Sequence, residues 1–224
     1  MKSFDIEAEA FLRSVAGGLI AQFLSGRFEG SWHPNGFAVF HAGEVEGLGR
    51  MRLHVWARDQ RVTLDGQPAI HSHPWDLCSL VLAGCYEDTI YRAEEFSAPG
   101  PGLLQGYQIR FGAASEGDAT NPLPIWYRLT ASEQRGVATG QCHRLAAGVL
   151  HATHVPHSSF AATLVLTSRA VDLEKLLLIG DVAFGAQTYV RPAVSTGDLA
   201  CMQLDLRTAV NLVAASAPRK DDGR

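Results

Sequence analysis

The chain has 224 residues, 46% of them apolar and 19% charged, with a formal net charge of −4. That length suits one good-sized domain with a large core. The acidic balance speaks against a nucleic-acid partner or an anionic membrane surface, and no apolar run approaches the ~18 residues of a membrane-spanning helix.

Residues 4–25 are expected to form an amphipathic helix. Leu12, Val15, Ala16, Leu19, Ile20 and Phe23 recur at three- and four-residue spacing, acidic residues crowd the first turn, and Ser25-Gly26 ends it. Asp5, Glu7 and Glu9, in place of a basic n-region, argue against a secretory signal. From residue 36 to about 192 the pattern changes to short strands, expected near 36–40, 50–56, 77–83, 89–92, 107–111, 125–129, 140–145, 161–166 and 176–179. Asp65-Gly66 marks a turn. The stretches 97–103 and 113–124, rich in Gly and Pro, read as loops at a rim or lid, and Glu87-Asp88 and Glu94-Glu95 as solvated turns. Residues 197–215 read as a second helix with Asp198 as its N-cap, and 218–224 as a disordered tail. The expected organisation is one all-β domain: an N-terminal helix within 1–30, an antiparallel sandwich or barrel over 36–192, and the C-terminal helix and tail. Cys78, Cys85, Cys142 and Cys201 sit inside apolar patterns without a CxxC, as reduced thiols of a cytoplasmic protein do.

Ile70-His71-Ser72-His73-Pro74-Trp75 carries the chemistry. Two histidines one residue apart on a strand point to the same face, so both imidazoles can reach one ion. A third histidine from another strand would close a facial triad with positions open to substrate or oxygen. His151 is the candidate for that third ligand, with His154 and His157 crowding the same stretch.

The spacing around these residues resembles the cupin superfamily, a small jelly-roll barrel that holds a metal in its mouth. The first cupin motif runs His-x-His, three or four residues, Glu, six residues, Gly. Here His71-Ser72-His73 is followed by three residues, Leu77, six residues and Gly84. The second motif runs Gly, five residues, Pro-x-Gly, two residues, His, three residues, Asn. Here Gly140 is followed by five residues, Ala146-Ala147-Gly148, two residues and His151, with Val155 at the Asn place. The resemblance covers residues 36–192 and selects His151 over His154 and His157. It implies a metal held by His71, His73 and His151, with Leu77 standing where most cupins carry a carboxylate. Fe(II) is the expected ion, and Zn, Mn, Ni or Cu the alternatives.

Three-histidine iron cupins include the cysteine (thiol) dioxygenases and the diketone- and gentisate-type dioxygenases. Leu53-His54-Val55-Trp56 and the stretch from His157 to Ser168 are similar to the thiol dioxygenase branch. Cys78 lies near the place of the cysteine that animal members crosslink to a tyrosine. Thr167 stands at the tyrosine place, so no crosslink is expected. Val165 stands at the place of the histidine beside the iron, and the arginine that holds the substrate carboxylate has no clear match, His41 lying nearest. The implied partners are a small-molecule substrate and O2, with a homodimer as the fold-level expectation. A non-oxidative isomerase or lyase and a non-enzymatic binding protein are the other readings.

His143 and Tyr91 are the candidate catalytic residues beyond the triad, and Trp75, His54, Cys78 and Val165 the candidate pocket residues. Arg92, Arg110 and Arg128 are candidate carboxylate clamps, although arginines on strands usually face solvent. The chain has no phosphate-binding Gly loop, no GxSxG and no HExxH.

Overall fold

A computed structural model of the protein describes residues 3–112, 117–172 and 176–216. The elements are α1 (Ser3–Leu24), β1 (Gly30–His33), β2 (Phe37–Val45), β3 (Gly49–Trp56), β4 (Ile70–His71), β5 (Leu77–Ala83), β6 (Cys85–Phe96), β7 (Leu104–Arg110), β8 (Asp118–Ala138), β9 (Cys142–Leu145), β10 (Leu150–His154), β11 (Ala161–Thr167), β12 (Leu177–Gly180), a 3-10 turn (Val182–Phe184), β13 (Gln187–Tyr189) and α2 (Thr196–Ser216). The fold is mostly β. One sheet has the order β1-β2-β3-β11-β5-β9 and the other β13-β8-β6-β10-β4-β12-β7. No helix among the described residues is long and apolar enough to cross a membrane.

The 21-residue β8 serves three neighbours, pairing β13 at its start, β7 along its first half and β6 along its second. The second sheet therefore curls back on itself. The loop expected over 113–124 is strand from Asp118 onward. Pro122 and Pro124 suggested otherwise because proline has no N–H for a ladder. Here Leu123, Pro124 and Ile125 oppose the single residue Gly106, so the bulge takes Pro124 out of the ladder, while Pro122 stays in register with Tyr107. β6 likewise runs through Glu87-Asp88 and Glu94-Glu95, so both pairs are mid-strand and neither is a turn. The expected tail at 218–224 lies outside the described residues.

β3 shows how the sheets are oriented. Its odd residues Met51, Leu53 and Val55 join a core that includes Leu12 and Phe23 of α1 and Met202 and Leu206 of α2. Its even residues Arg50, Arg52, His54 and Trp56 face the space between the sheets. The main core is thus a layer between the two helices and the outward face of the six-stranded sheet. Central β11 is buried on both sides, with Leu164 and Leu166 under the helices and Val165 and Thr167 toward the interior. The rings of Phe23 and Phe40 meet edge-on at 5.0 Å across this layer.

The helices match the sequence expectation closely, with one correction at a cap. The expected N-cap Asp198 lies inside α2, whose first residue is Thr196. Ser195 caps the helix instead: its Oγ accepts from the Asp198 N–H at 3.1 Å and donates to the Asp198 carboxylate at 2.8 Å.

Leu12 has no exposed surface. Leu12→Ala is expected to destabilise the protein by about 3 kcal/mol, through lost transfer energy and the cavity left behind. A denaturant titration that found the midpoint unchanged would contradict this account of the core.

Candidate metal centre

β4 and β10 pair so that His71 and His151 are directly opposite, and their side chains share the inner face. His73 follows two residues after His71. The loop that carries it is clamped to the turn before β10: Gly148 donates its N–H to the His73 carbonyl at 2.8 Å, and Ala147 donates to the Asp76 carboxylate at 2.9 Å. Gly148 takes φ +81°, a left-handed conformation that disfavours any other residue. The two histidine segments, far apart in sequence, are therefore joined through their backbones.

The three imidazoles bring their ligand atoms within 4.8 Å of one another. The Nε2 atoms of His71 and His73 are 3.1 Å apart. Two ligands held at right angles about 2.1 Å from one ion would be about 3.0 Å apart, so this pair already has the required separation. His71 Nδ1 donates to the Ala69 carbonyl at 2.8 Å, which leaves Nε2 with a free lone pair. His151 Nδ1 donates to Asp88 at 3.0 Å, and its Nε2 is buried with no partner. A buried acceptor left without a partner is costly, and a cation shared by the three rings satisfies all of them. The residues fit a metal ion.

Asp88 is the residue the sequence reading missed. It is 1% exposed and registered opposite Thr153, whose hydroxyl donates to the same carboxylate oxygen at 2.7 Å. Burial pushes the carboxyl pKa up, but hydrogen bonds from His151 and Thr153 outweigh it and hold the pKa below the ordinary value. Asp88 keeps the His151 proton on Nδ1 and so aims Nε2 at the cluster. The signal available in the sequence was the alternation Tyr86-Asp88-Ile90, which puts Asp88 on the inner face.

His143 lies behind this pair, with Nε2 3.6 Å from the other Asp88 oxygen. Burial lowers its pKa to about 4 despite the attraction of Asp88, so the ring is neutral at physiological pH. The triad separates two spaces. An outer cavity of about 440 Å³ opens from His71 and His73 toward Trp75, and an inner cavity of about 70 Å³ adjoins all three histidines, Asp88 and His143.

Of the other expected pocket residues, His54 lines both cavities, Trp75 the outer one and Val165 the inner one. Trp75 stacks on His73 with centroids 5.7 Å apart. Leu77, at the carboxylate place, also faces both cavities. Two expectations are corrected. Cys78 belongs to the core under the helices, because β5 turns Leu77 and Ser79 inward and Cys78 outward. Tyr91 packs with Tyr127, Leu150 and Ile179 in a separate cluster, because the alternation that turns Asp88 and Ile90 inward turns Tyr91, opposite Leu150, to the other face. His154 is exposed, and His157, also exposed, faces Asp59 at 3.4 Å, so neither reaches the triad. The candidate clamps Arg92, Arg110 and Arg128 are exposed, the last paired with Glu94 at 3.0 Å.

The outer cavity adds residues that the sequence did not single out. His33 stacks on Phe37 at 4.3 Å and comes within 6.3 Å of the His71 ring. Its Nδ1 accepts the Asn35 N–H at 3.2 Å, so the neutral ring carries its proton on Nε2. Burial, with the charge of Arg191, holds its pKa well below the usual value. Arg52 faces the cavity beside Trp75, with the guanidinium 5.1 Å from the ring centroid.

Compared with known proteins, the chain matches no family model and no curated protein.

Two outcomes follow. Asp88→Asn is expected to weaken metal binding by about 10- to 100-fold, as the loss of a carboxylate behind a ligating histidine does; competition with a chelator measures it. Stability is also expected to fall on acidification. His54 (about 3), His71 and His143 (about 4 each) have folded pKa values below the ordinary histidine value of 6.5. Between these values the unfolded chain binds more protons, so stability is complete above about pH 6.5 and declines as pH drops toward 4. Thermal midpoints of the metal-free protein from pH 4 to 8 should rise and then level, and His143→Gln should flatten the slope.

Proposed function

We propose that the protein is a metal-dependent oxygenase that holds Fe(II) through His71, His73 and His151 and acts on a small organic substrate with O2. The observation that carries this reading is the convergence of three imidazoles from two distant segments on one point beside an open cavity. Two antiparallel sheets with these histidines between them support a cupin-type jelly-roll barrel, as do the glycine turns at Gly84 and Gly148 in the expected register. At Gly84 a Cβ would come within 2.1 Å of the Phe160 carbonyl, so this turn admits only glycine.

When bound, the metal supplies open coordination positions and the electron chemistry that O2 requires. The chain's own residues fix the rest. His71 and His151 keep their protons on Nδ1 through Ala69 and Asp88, leaving Nε2 for the ion. Leu77 adds no negative charge, so three neutral imidazoles leave the site cationic. Trp75, Phe37 and Phe111 give the outer cavity apolar walls that exclude water from part of it. His33, neutral and protonated on Nε2, stands near His71 as a hydrogen-bond donor to whatever occupies the cavity. The partners of this reading are the substrate and O2, with a second copy of the chain as a further proposal.

Metal analysis of the purified protein tests the site. About one ion per chain is expected in the wild type, and almost none in His71→Ala or His151→Ala. Oxygen uptake by the Fe(II)-loaded protein against thiols, diketones and phenolic acids then tests the chemistry. Tightly held zinc, with no uptake by the iron form, would favour a non-oxidative isomerase or lyase. No metal in either wild type or variants would overturn the reading.

A further inference from the structure

Among the described residues, the outer cavity contains one cation without a counter-ion. Arg191 is paired with Asp118 at 2.7 Å, Arg50 with Glu44 at 3.2 Å, and the guanidinium of Arg61 donates to four backbone carbonyls. Arg52 has no such partner: among the described residues no carboxylate lies within ion-pair distance, and its Nε is buried with no hydrogen bond. Burial and the nearby charges of Arg191 and Arg50 lower its pKa to about 10, the mark of a cation short of negative charge. A buried, unpaired guanidinium is costly, and its planar fork matches a carboxylate.

The surroundings of Arg52 are flat and aromatic. Its guanidinium lies against Trp75, and Trp75 stacks at 5.8 Å on Phe111, which stands at the cavity mouth. Phe37 lines the same cavity. The facing wall belongs to the other sheet, which packs about 10 Å away in structures of this kind. There Thr120 Oγ1 and the Tyr189 hydroxyl are buried without hydrogen-bond partners. A cavity of about 440 Å³ takes a ligand of about fifteen non-hydrogen atoms, at the ~30 Å³ that each water occupies in the liquid.

The geometry points to an aromatic monocarboxylate as the ligand of the outer cavity, with its carboxylate on Arg52, its ring beside Trp75 and Phe37, and a hydroxyl at its far end on Thr120 and Tyr189. This deepens the oxygenase reading and rests on the substrate entering by this cavity. Arg52 is the specificity-determining residue. It comes from β3, directly opposite His41 of β2 in the sheet register, and it selects for a negative charge. The aromatic wall and the cavity size select for a ring in place of a compact aliphatic acid.

The test measures binding of 4-hydroxycinnamate, its neutral amide 4-hydroxycinnamamide, and cinnamate to the purified full-length chain by quenching of tryptophan fluorescence. Metal content is determined on the same samples. The acid is expected to bind about 10-fold or more tightly than the amide, and cinnamate several-fold more weakly than the hydroxylated acid. Arg52→Gln should abolish the preference for acid over amide while leaving metal content unchanged. The proposal is overturned if the wild type binds acid and amide equally, or if Arg52→Gln keeps the preference, which would place the anion on the metal. Equal affinity for the two acids would overturn the assignment of Thr120 and Tyr189. The two readings fail separately: a metal-free wild type removes the oxygenase reading but leaves the acid preference to be measured, and loss of that preference leaves the metal result untouched.

Discussion

Burial of the outward face of the six-stranded sheet beneath α1 and α2 is the constraint on which the rest of the structure depends. A strand has two faces, and in a two-sheet protein the apolar one usually turns inward. Here Met51, Leu53, Val55, Leu80, Leu164 and Leu166 turn outward instead, onto Leu12, Phe23, Met202 and Leu206. Each such side chain contributes about 1.5–3 kcal/mol when fully buried. The main hydrophobic cluster therefore lies outside the space between the sheets, and smaller clusters around Trp56 and Leu178 border the interior. That frees the inner faces of β3, β5 and β11 to carry Arg52, His54, Ser79 and Thr163 into the interior. A β protein that used its interior as its only core could not accommodate a polar cavity of about 440 Å³ there.

The interior is polar, yet five of its histidines are held toward the neutral form. Burial keeps His33, His54, His71, His73 and His143 below their ordinary pKa values. Neutral imidazoles are the form that binds metal. Positive charge close by reinforces this, since Arg52 and Arg191 both push His54 toward the neutral state. Asp88 acts in the opposite sense on His71 and His143, but burial outweighs it at both. Its carboxylate is spent on the Nδ1 proton of His151 and on Thr153, so it orients a ligand without occupying a coordination position.

Periodicity made much of this legible in the sequence, but only where one physical cause dominated. The helices were readable because their apolar stripes follow a helical period, and His71 with His73 because strand alternation is strict. The same alternation was present at Arg50-Arg52-His54, but a solvated face and a polar interior face give identical patterns. The covering helices decide between them, and they lie more than a hundred residues away for α2. Asp88 was hidden likewise: Glu87-Asp88 resembles a turn by composition, and only pairing with β8 and β10 makes it mid-strand. Tyr91 follows Ile90, which opposes His151, and so shares the other face with its partner Leu150; only the pairing with β10 shows which residues of β6 look toward the triad.

The placement of the triad between two unequal spaces has a chemical consequence. His71 and His73 border both the outer and the inner cavity, whereas His151 borders the inner one alone. Through His71 and His73 the triad opens onto the outer cavity, which Trp75 and Arg52 also line. The inner side is occupied by His151 and, behind it, Asp88, Thr153 and His143. A ligand that approaches through the outer cavity passes Arg52, which has no ion-pair partner among the described residues. The β4 and β10 pairing sets the ion's position, and the inward face of β3 sets what can reach it. These two features come from different sheets. Changing the character of β3 at Arg52 should therefore alter which molecule is selected without disturbing how the three histidines are held.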